Sequence, residues 1–185
     1  MRPADVLAVI PAWTGSNRIP NKNLQLLAGK SLLRRTIDFA MEMGFRTVVT
    51  TDNETVNETV RAIGAHHSLV SCLHDGSSSG SVAVWQEAWR AHPDFPVSVL
   101  LEPSCPFRTQ DDIHQTLEAL TRFAATVHPV KTVRGPQPQF NGACYASRDR
   151  NMTQDFLGAE WKLIETPWRL QIDKPYDLIL ARLIA

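Results

Sequence analysis

The run Val6-Leu7-Ala8-Val9-Ile10, apolar without alternation and followed at once by a polar loop over residues 11–23, constrains the fold more than any other stretch. A short β-rich segment with no polar face has to be covered on both sides, as strands of parallel sheets are, so helices must flank it. Helical spacing duly follows at Leu32, Leu33, Thr36, Ile37, Ala40 and Met41, with Gly44 as a stop. Residues 46–50 read as a second strand, and a helix beginning at Thr51 or Asn53 carries Val56, Val60 and Ile63. A polar loop over residues 77–80 opens a helix with Val82, Val84, Trp85 and Trp89, and residues 97–101 form the next strand. A helix over 113–123 and a strand over 125–130 continue the alternation. Residues 143–146 and 169–172 are strand-like, and 175–183 form a closing helix. This order predicts an α/β fold in one domain, residues 1–185. Its sheet is open and mostly parallel, with helices on both faces in a Rossmann-like arrangement.

With 185 residues, 43% of them hydrophobic, the chain can bury a core without disulfides or a structural metal. Lys and Arg number 19 and so do Asp and Glu, with no basic block, so neither nucleic acid nor an acidic membrane is an expected partner. Cys72, Cys105 and Cys144 are widely spaced with no C-x-x-C pair and read as reduced, buried thiols. The first apolar run is too short for a membrane span or a signal segment, which places the chain in the cytoplasm.

In open α/β sheets ligands bind beyond the carboxyl ends of the strands, so the loop over 11–23 is the first place to look for a site. Gly15 and Ser16 let backbone N–H groups approach an anion, and Arg18 and Lys22 add positive charge. Taken alone, the same residues also describe a solvated connection.

The full stretch Ile10-Pro11-Ala12-Trp13-Thr14-Gly15-Ser16-Asn17-Arg18-Ile19-Pro20-Asn21-Lys22-Asn23 resembles the signature of the CMP-acid-sugar synthetases, the cytidylyltransferases of the sialic-acid and KDO type. Gly15, Ser16, Lys22 and Asn23 follow the sialic-acid branch, and Arg18 stands at the basic place of the KDO branch. The resemblance implies that Ala12, Trp13, Gly15, Ser16, Asn23 and Asp52 bind the nucleotide, with Arg18 and Lys22 acting on the triphosphate. Trp13 stands where the family has Arg. An Arg offers a forked, permanent charge, whereas Trp offers one N–H and a π face. Two roles for Trp13 stay open: stacking on a base or sugar, or plugging a site that has lost its chemistry.

The likeness continues through Gly29-Lys30-Ser31-Leu32-Leu33, Val48-Val49-Thr50-Thr51-Asp52 and Leu100-Leu101-Glu102-Pro103-Ser104-Cys105-Pro106-Phe107-Arg108-Thr109. In the last of these Glu102 replaces a typical Gln, and acceptor contact, metal binding and a salt bridge at the rim are its open roles. The resemblance adds Arg108 as an acceptor contact. It adds Asn141 too, from Phe140-Asn141-Gly142-Ala143-Cys144-Tyr145, with a plain turn role as the alternative. Leu170-Gln171-Ile172-Asp173-Lys174-Pro175-Tyr176-Asp177-Leu178 resembles a segment whose two alternating aspartates share Mg²⁺. Here the first is Gln171, which leaves Asp173 as the metal ligand and Mg²⁺ as the implied cofactor. Asp177 reads as a local cap.

Between Thr132 and Asn141 the sialic-acid enzymes carry an excursion that pairs two subunits, and only residues 133–140 span it here. A monomer or a non-standard homodimer is expected. The implied activity is transfer of CMP from CTP to a small acidic acceptor, a sugar acid of the nonulosonate or KDO type or a smaller acid such as a phosphonate, with release of pyrophosphate. The alternative is a degenerate relative that binds a nucleotide, a sugar acid or a protein without turnover, which the replacements at Trp13, Glu102 and Gln171, with Ser68 near the place of a family Arg, motivate.

Overall fold

The structure is a computed structural model that describes residues 1–63, 69–73, 80–122, 126–131, 139–140, 144–150, 161–165, 167 and 169–185. In chain order the elements are β1 (Val6–Pro11), the short pair β2 (Leu26–Leu27) and β3 (Lys30–Ser31), α1 (Leu32–Glu42), β4 (Arg46–Thr51), α2 (Glu54–Ile63), β5 (Leu69–Leu73) and α3 (Ser81–Arg90). There follow β6 (Val97–Leu100), α4 (Gln110–Arg122), β7 (Thr126–Lys131), β8 (Gln139–Phe140), β9 (Tyr145–Ser147), β10 (Trp161–Glu165) and α5 (Pro175–Ile184). No helix among the described residues is long and apolar enough to cross a membrane.

The main sheet runs β10-β7-β9-β6-β1-β4-β5, with β8 on β7. Strand β1 pairs in parallel with both β4 and β6, and β4 pairs in parallel with β5. Only β9 and β8 run against their neighbours: β9 is antiparallel to β6 and to β7, and β8 to β7, while β10 returns parallel to β7. The sheet is therefore open and mostly parallel, as the alternation of elements requires. Strand β5, between α2 and α3, completes that alternation. The segment over residues 169–172 is not a strand, contrary to its reading from sequence, and the outer strand β10 is formed by Trp161–Glu165 instead.

Strand β1 explains the two-sided arrangement. Val6, Ala8 and Ile10 pack into a cluster with Leu33 and Ile37 of α1, Val56 and Val60 of α2, and Ile113 and Leu120 of α4. Leu7 and Val9 point the other way, onto Trp85 and Trp89 of α3, because successive side chains of a strand alternate between faces. The two indoles lie 6.4 Å apart between centroids and nearly parallel. Trp85 Nε1 donates to Ser98 Oγ at 2.7 Å, and Ser98 Oγ donates on to the Leu7 carbonyl at 2.9 Å, so the buried polar atoms are satisfied.

Helix ends are set by short polar side chains. Ser31 Oγ accepts from Arg34 N at the start of α1, and Asn53 Oδ1 accepts from Val56 N at the start of α2. Gly44, at φ 73°, closes α1 by a left-handed turn that suits glycine. At α4, Asp112 Oδ2 accepts from Thr109 N while Thr109 Oγ1 accepts from Asp112 N, a reciprocal box. Asp177 Oδ2 accepts from Asp173 N and Lys174 N at the start of α5, the local role its position suggested. A third cluster, Ile19, Leu27, Leu32, Leu170, Ile172, Leu178 and Ala181, joins the loop after β1 to the segment before α5. That contact sets the loop after β1 beside the segment before α5 at the carboxyl edge of the sheet.

Candidate functional site

A cavity of about 690 Å³ opens beyond the carboxyl ends of β1 and β6. The loop after β1 contributes Trp13, Gly15, Ser16, Arg18, Lys22 and Asn23 to its wall, the turn after β6 contributes Glu102 and Ser104, and the segment before α5 contributes Gln171 and Asp173. Ser81, the first residue of α3, completes the wall. This is the place where doubly wound sheets hold ligands.

The loop is fixed at both ends. Ala12 N donates to the Thr50 carbonyl at 2.7 Å, and Thr51 Oγ1 donates to the Ala12 carbonyl at 3.0 Å. Asp52 accepts from both the amide and the hydroxyl of Thr14, at 2.8 Å and 2.9–3.0 Å. Asn23 Nδ2 donates to the Trp13 carbonyl at 2.8 Å, which closes the loop on itself. Ala12, buried, and Asp52 do not line the cavity. Their polar groups bond to Thr50, Thr51 and Thr14 and hold the loop.

Trp13 is 38% exposed and lies across Gly15. A β-carbon placed on Gly15 would come within 2.6 Å of Trp13 Nε1, so the indole packs directly on the glycine backbone. Opposite it, Lys22 Nζ donates to the Ile172 carbonyl at 3.2 Å and sits 3.5 Å from Asp173 Oδ1, while Arg18 Nη2 lies 3.7 Å from the same oxygen. The two basic residues expected at the triphosphate and the expected metal ligand, Asp173, therefore meet at one point. Arg18 is the most exposed of them, and Lys22 is largely buried against the Ile172 main chain.

Glu102 lines the same cavity. Gln171 Nε2 donates to its Oε2 at 3.3 Å and Ser104 Oγ at 3.4 Å, with a further hydrogen bond from Ser81. Burial is the largest influence on this carboxyl and pushes its pKa up. Ser81, Lys22 and Arg108 oppose the rise and Asp173 adds to it. Gln171 and Asp173 share the cavity wall, while Leu170 and Ile172 between them are buried.

Arg108, expected at the acceptor, is placed elsewhere. It is buried, its Nη2 donates to the main-chain carbonyl of Glu102, and its guanidinium lies 5.9 Å from the Phe39 ring centroid on the wall of a separate cavity of about 330 Å³. Burial pulls its pKa down. Its work is to hold the Glu102 turn from behind. Asn141 lies outside the described residues.

Sequence reasoning missed two supports. Arg169 forms a forked ion pair with Asp112, Nε to Oδ2 at 2.8 Å and Nη2 to Oδ1 at 3.1 Å, and Asp112 is 1% exposed. Together with the 2.7 Å bond from Ile172 N to the Ser104 carbonyl, this pins the Gln171 to Asp173 segment against α4. The other is Ser81, whose only signal was its place at the opening of α3. Cys105 and Cys144 are buried and in no disulfide, and burial pushes their thiols up to about 11 and about 12, which keeps them protonated near neutrality.

A family model described as cytidylyltransferase matches residues 7–153. The chain belongs to the cytidylyltransferase family. It is 33% identical over 121 residues to the N-acylneuraminate cytidylyltransferase of Escherichia coli O18:K1:H7, covering 61% of this chain and 29% of that protein. It is 31% identical over 131 residues to the 3-deoxy-manno-octulosonate cytidylyltransferase of Thioalkalivibrio sulfidiphilus, covering 67% and 51%. With the CMP-N,N'-diacetyllegionaminic acid synthase of Legionella pneumophila the identity is 31% over 120 residues, covering 61% and 52%. The matched stretch thus spans about half of these relatives or less. Among solved structures, a CMP:2-keto-3-deoxy-manno-octonic acid synthetase complexed with CTP superposes with a TM-score of 0.77 at 17% identity over 97% of each chain. The 4-diphosphocytidyl-2C-methyl-D-erythritol synthase of Anaerococcus prevotii gives 0.73 at 13%, again over 97% of each. At these identities the likeness carries the nucleotidyltransferase fold.

Proposed function

We propose that this cytidylyltransferase-family chain transfers CMP from CTP to a small acidic acceptor, a sugar acid or a smaller acid such as a phosphonate, and releases pyrophosphate. The observation that carries this reading is the meeting of Arg18, Lys22 and Asp173 opposite the Gly15-Ser16 loop within one cavity. The acceptor oxygen attacks the α-phosphorus as the bond to the bridging oxygen breaks, and the electron pair leaves with pyrophosphate. Lys22 and Arg18 neutralise the charge that grows on the leaving group, and Ser16 with the Gly15 amide holds the phosphates in line. No covalent enzyme intermediate is required.

The donor set fits magnesium. Asp173 and Glu102 both line the cavity, and the described residues contain no group of three or more His, Cys, Asp or Glu side chains that could hold a metal ion by itself. Magnesium keeps several waters and takes further oxygens from substrate phosphates, so two carboxylates suffice. When bound, it would supply positive charge to phosphate oxygens, with Asp173 as the principal ligand.

One observation favours a second reading, a site that binds without turnover: Trp13 covers the Gly15 backbone that would otherwise cradle phosphate. The test is pyrophosphate release from CTP with Mg²⁺ across a panel of 3-deoxy-manno-octulosonate, N-acylneuraminate and simple phosphonates. Release that depends on one acceptor supports transfer. Saturable CTP binding with no release from any acceptor overturns it in favour of the binding reading.

A further inference from the structure

The turn after β6 divides its residues between two cavities: Glu102 and Ser104 line the larger, while Cys105, Pro106 and Arg108 line the smaller one of about 330 Å³. The other side of the smaller cavity is a face of α1, where Arg35, Asp38, Phe39 and Glu42 recur at helical spacing. Nothing in the transfer of CMP uses this second space.

Its wall carries two guanidiniums that the chain leaves incompletely satisfied. Arg108 is 7% exposed and its Nη2 donates to the Glu102 carbonyl, yet its Nε is buried with no hydrogen-bond partner. Arg35 is half-buried, its Nη1 donates to the Leu27 carbonyl at 3.4 Å, and its Nε is likewise buried and unpartnered. A buried cation without a counter-charge is costly, and burial pulls the Arg108 pKa down. The acids nearby do not relieve it. Asp38 is taken by Lys30 Nζ at 2.7 Å and Arg34 Nε at 2.6 Å, and Glu42 is exposed. With Lys30 and Asp38 cancelling each other, the two arginines on the wall exceed Glu42 by one positive charge.

We propose that this cavity binds a small oxyanion, a phosphate or carboxylate group, held between the Arg35 and Arg108 guanidiniums. A guanidinium presents a fixed fork of N–H donors that matches such oxygens, and charge-assisted bonds to it are the strong ones. The Thr36 hydroxyl is turned away, onto the Leu32 carbonyl at 2.9 Å, so the arginines carry the recognition. The Phe39 ring, 5.9 Å from the Arg108 guanidinium carbon, stands against that cation from α1. Cys105 N and Arg108 Nη2 both donate to the Glu102 carbonyl, so an anion bound to Arg108 acts on the turn that carries Glu102 into the larger cavity.

The experiment is calorimetric titration of the whole chain, free of nucleotide and Mg²⁺, with orthophosphate and with acetate, against chloride at constant ionic strength. Arg35→Gln, Arg108→Lys, Glu42→Gln and Lys22→Ala are titrated beside it, with circular dichroism to confirm folding. The proposal predicts saturable binding of at least one oxyanion with a Kd of about 10 mM or below, which chloride does not give. Arg35→Gln and Arg108→Lys should each weaken that binding about tenfold, and Glu42→Gln should tighten it. Lys22→Ala, which alters the larger cavity, should leave it intact. The oxyanion that binds more tightly names the ligand class. If Arg108→Lys fails to fold, Arg35→Gln decides alone. Absence of saturable binding overturns the proposal, as does binding that is lost in Lys22→Ala and kept in Arg35→Gln.

Discussion

Lys22 Nζ lies 3.5 Å from Asp173 Oδ1 across 151 residues of sequence, and its remaining bond goes to the carbonyl of the neighbouring Ile172. The ammonium thus fixes the segment that carries Asp173 while facing the cavity.

Removing either partner should separate binding from chemistry. Lys22→Ala is expected to weaken CTP binding about 10- to 100-fold, the loss of one charge-assisted phosphate contact of about 1.5–3 kcal/mol. Asp173→Asn keeps the shape and removes the charge, so pyrophosphate release should fall below detection while CTP still binds. Calorimetry and a phosphate-coupled assay on both variants check this, and unchanged rates in both would remove the mechanism.

Glu102 supplies a pH dependence. Its carboxyl pKa is raised in the folded chain above the ordinary 4.5, chiefly by burial, so the folded state favours the protonated form. Its contribution to stability is fully present below the ordinary value and is lost as pH rises through the raised one. Glu102→Gln, neutral at every pH and able to keep the Ser104 and Ser81 bonds, should therefore stabilise the chain at pH 8 by about 1 kcal/mol, roughly 2–4 °C in Tm. The gap should close near pH 4. Melting curves in EDTA at the two pH values decide it, and a variant less stable at pH 8 would contradict the account.

The Arg169–Asp112 pair should matter more to the fold than any surface pair. Arg169→Ala leaves a buried carboxylate with only its Thr109 bonds, and a loss of about 3 kcal/mol is expected in urea denaturation. Double replacement with Asp112→Asn should recover part of it. Additive losses in the two single variants would argue against a coupled pair.

Gly15→Ala places a methyl where the Trp13 indole lies, and the half-exposed ring must swing away. Stability should change by less than about 1 kcal/mol, because the ring is at the end of a movable side chain. CTP affinity and tryptophan fluorescence should both shift, and Trp13→Ala in the same chain should restore affinity. If the double variant binds no better than Gly15→Ala alone, the ring is not what the methyl displaces.

The elements around the site were legible because they obey simple periods. β1 has no polar face, and α1 repeats its apolar residues at helical spacing. The loop between them holds the small and basic residues that an anion site needs. The segment around Asp173 shows where that logic bends. Its alternation suggested a strand, yet its amides are spent on Ser104 and Asp177 rather than on a sheet neighbour. The two-residue spacing still delivered Gln171 and Asp173 to one wall with Leu170 and Ile172 buried behind them, since side-chain alternation needs no ladder. Motif position placed Ala12, Asp52 and Arg108 at the ligand, but their roles depend on partners far along the chain. Thr14 takes Asp52, and the Glu102 carbonyl takes Arg108.

The most direct measurement is calorimetric titration of the purified chain with CTP, ATP, GTP and UTP, each with and without Mg²⁺. The account predicts saturable binding of CTP that strengthens with Mg²⁺ and at least tenfold weaker binding of the other three. Equal affinity for all four nucleotides, or none for any, would contradict the assignment of this cavity to CTP.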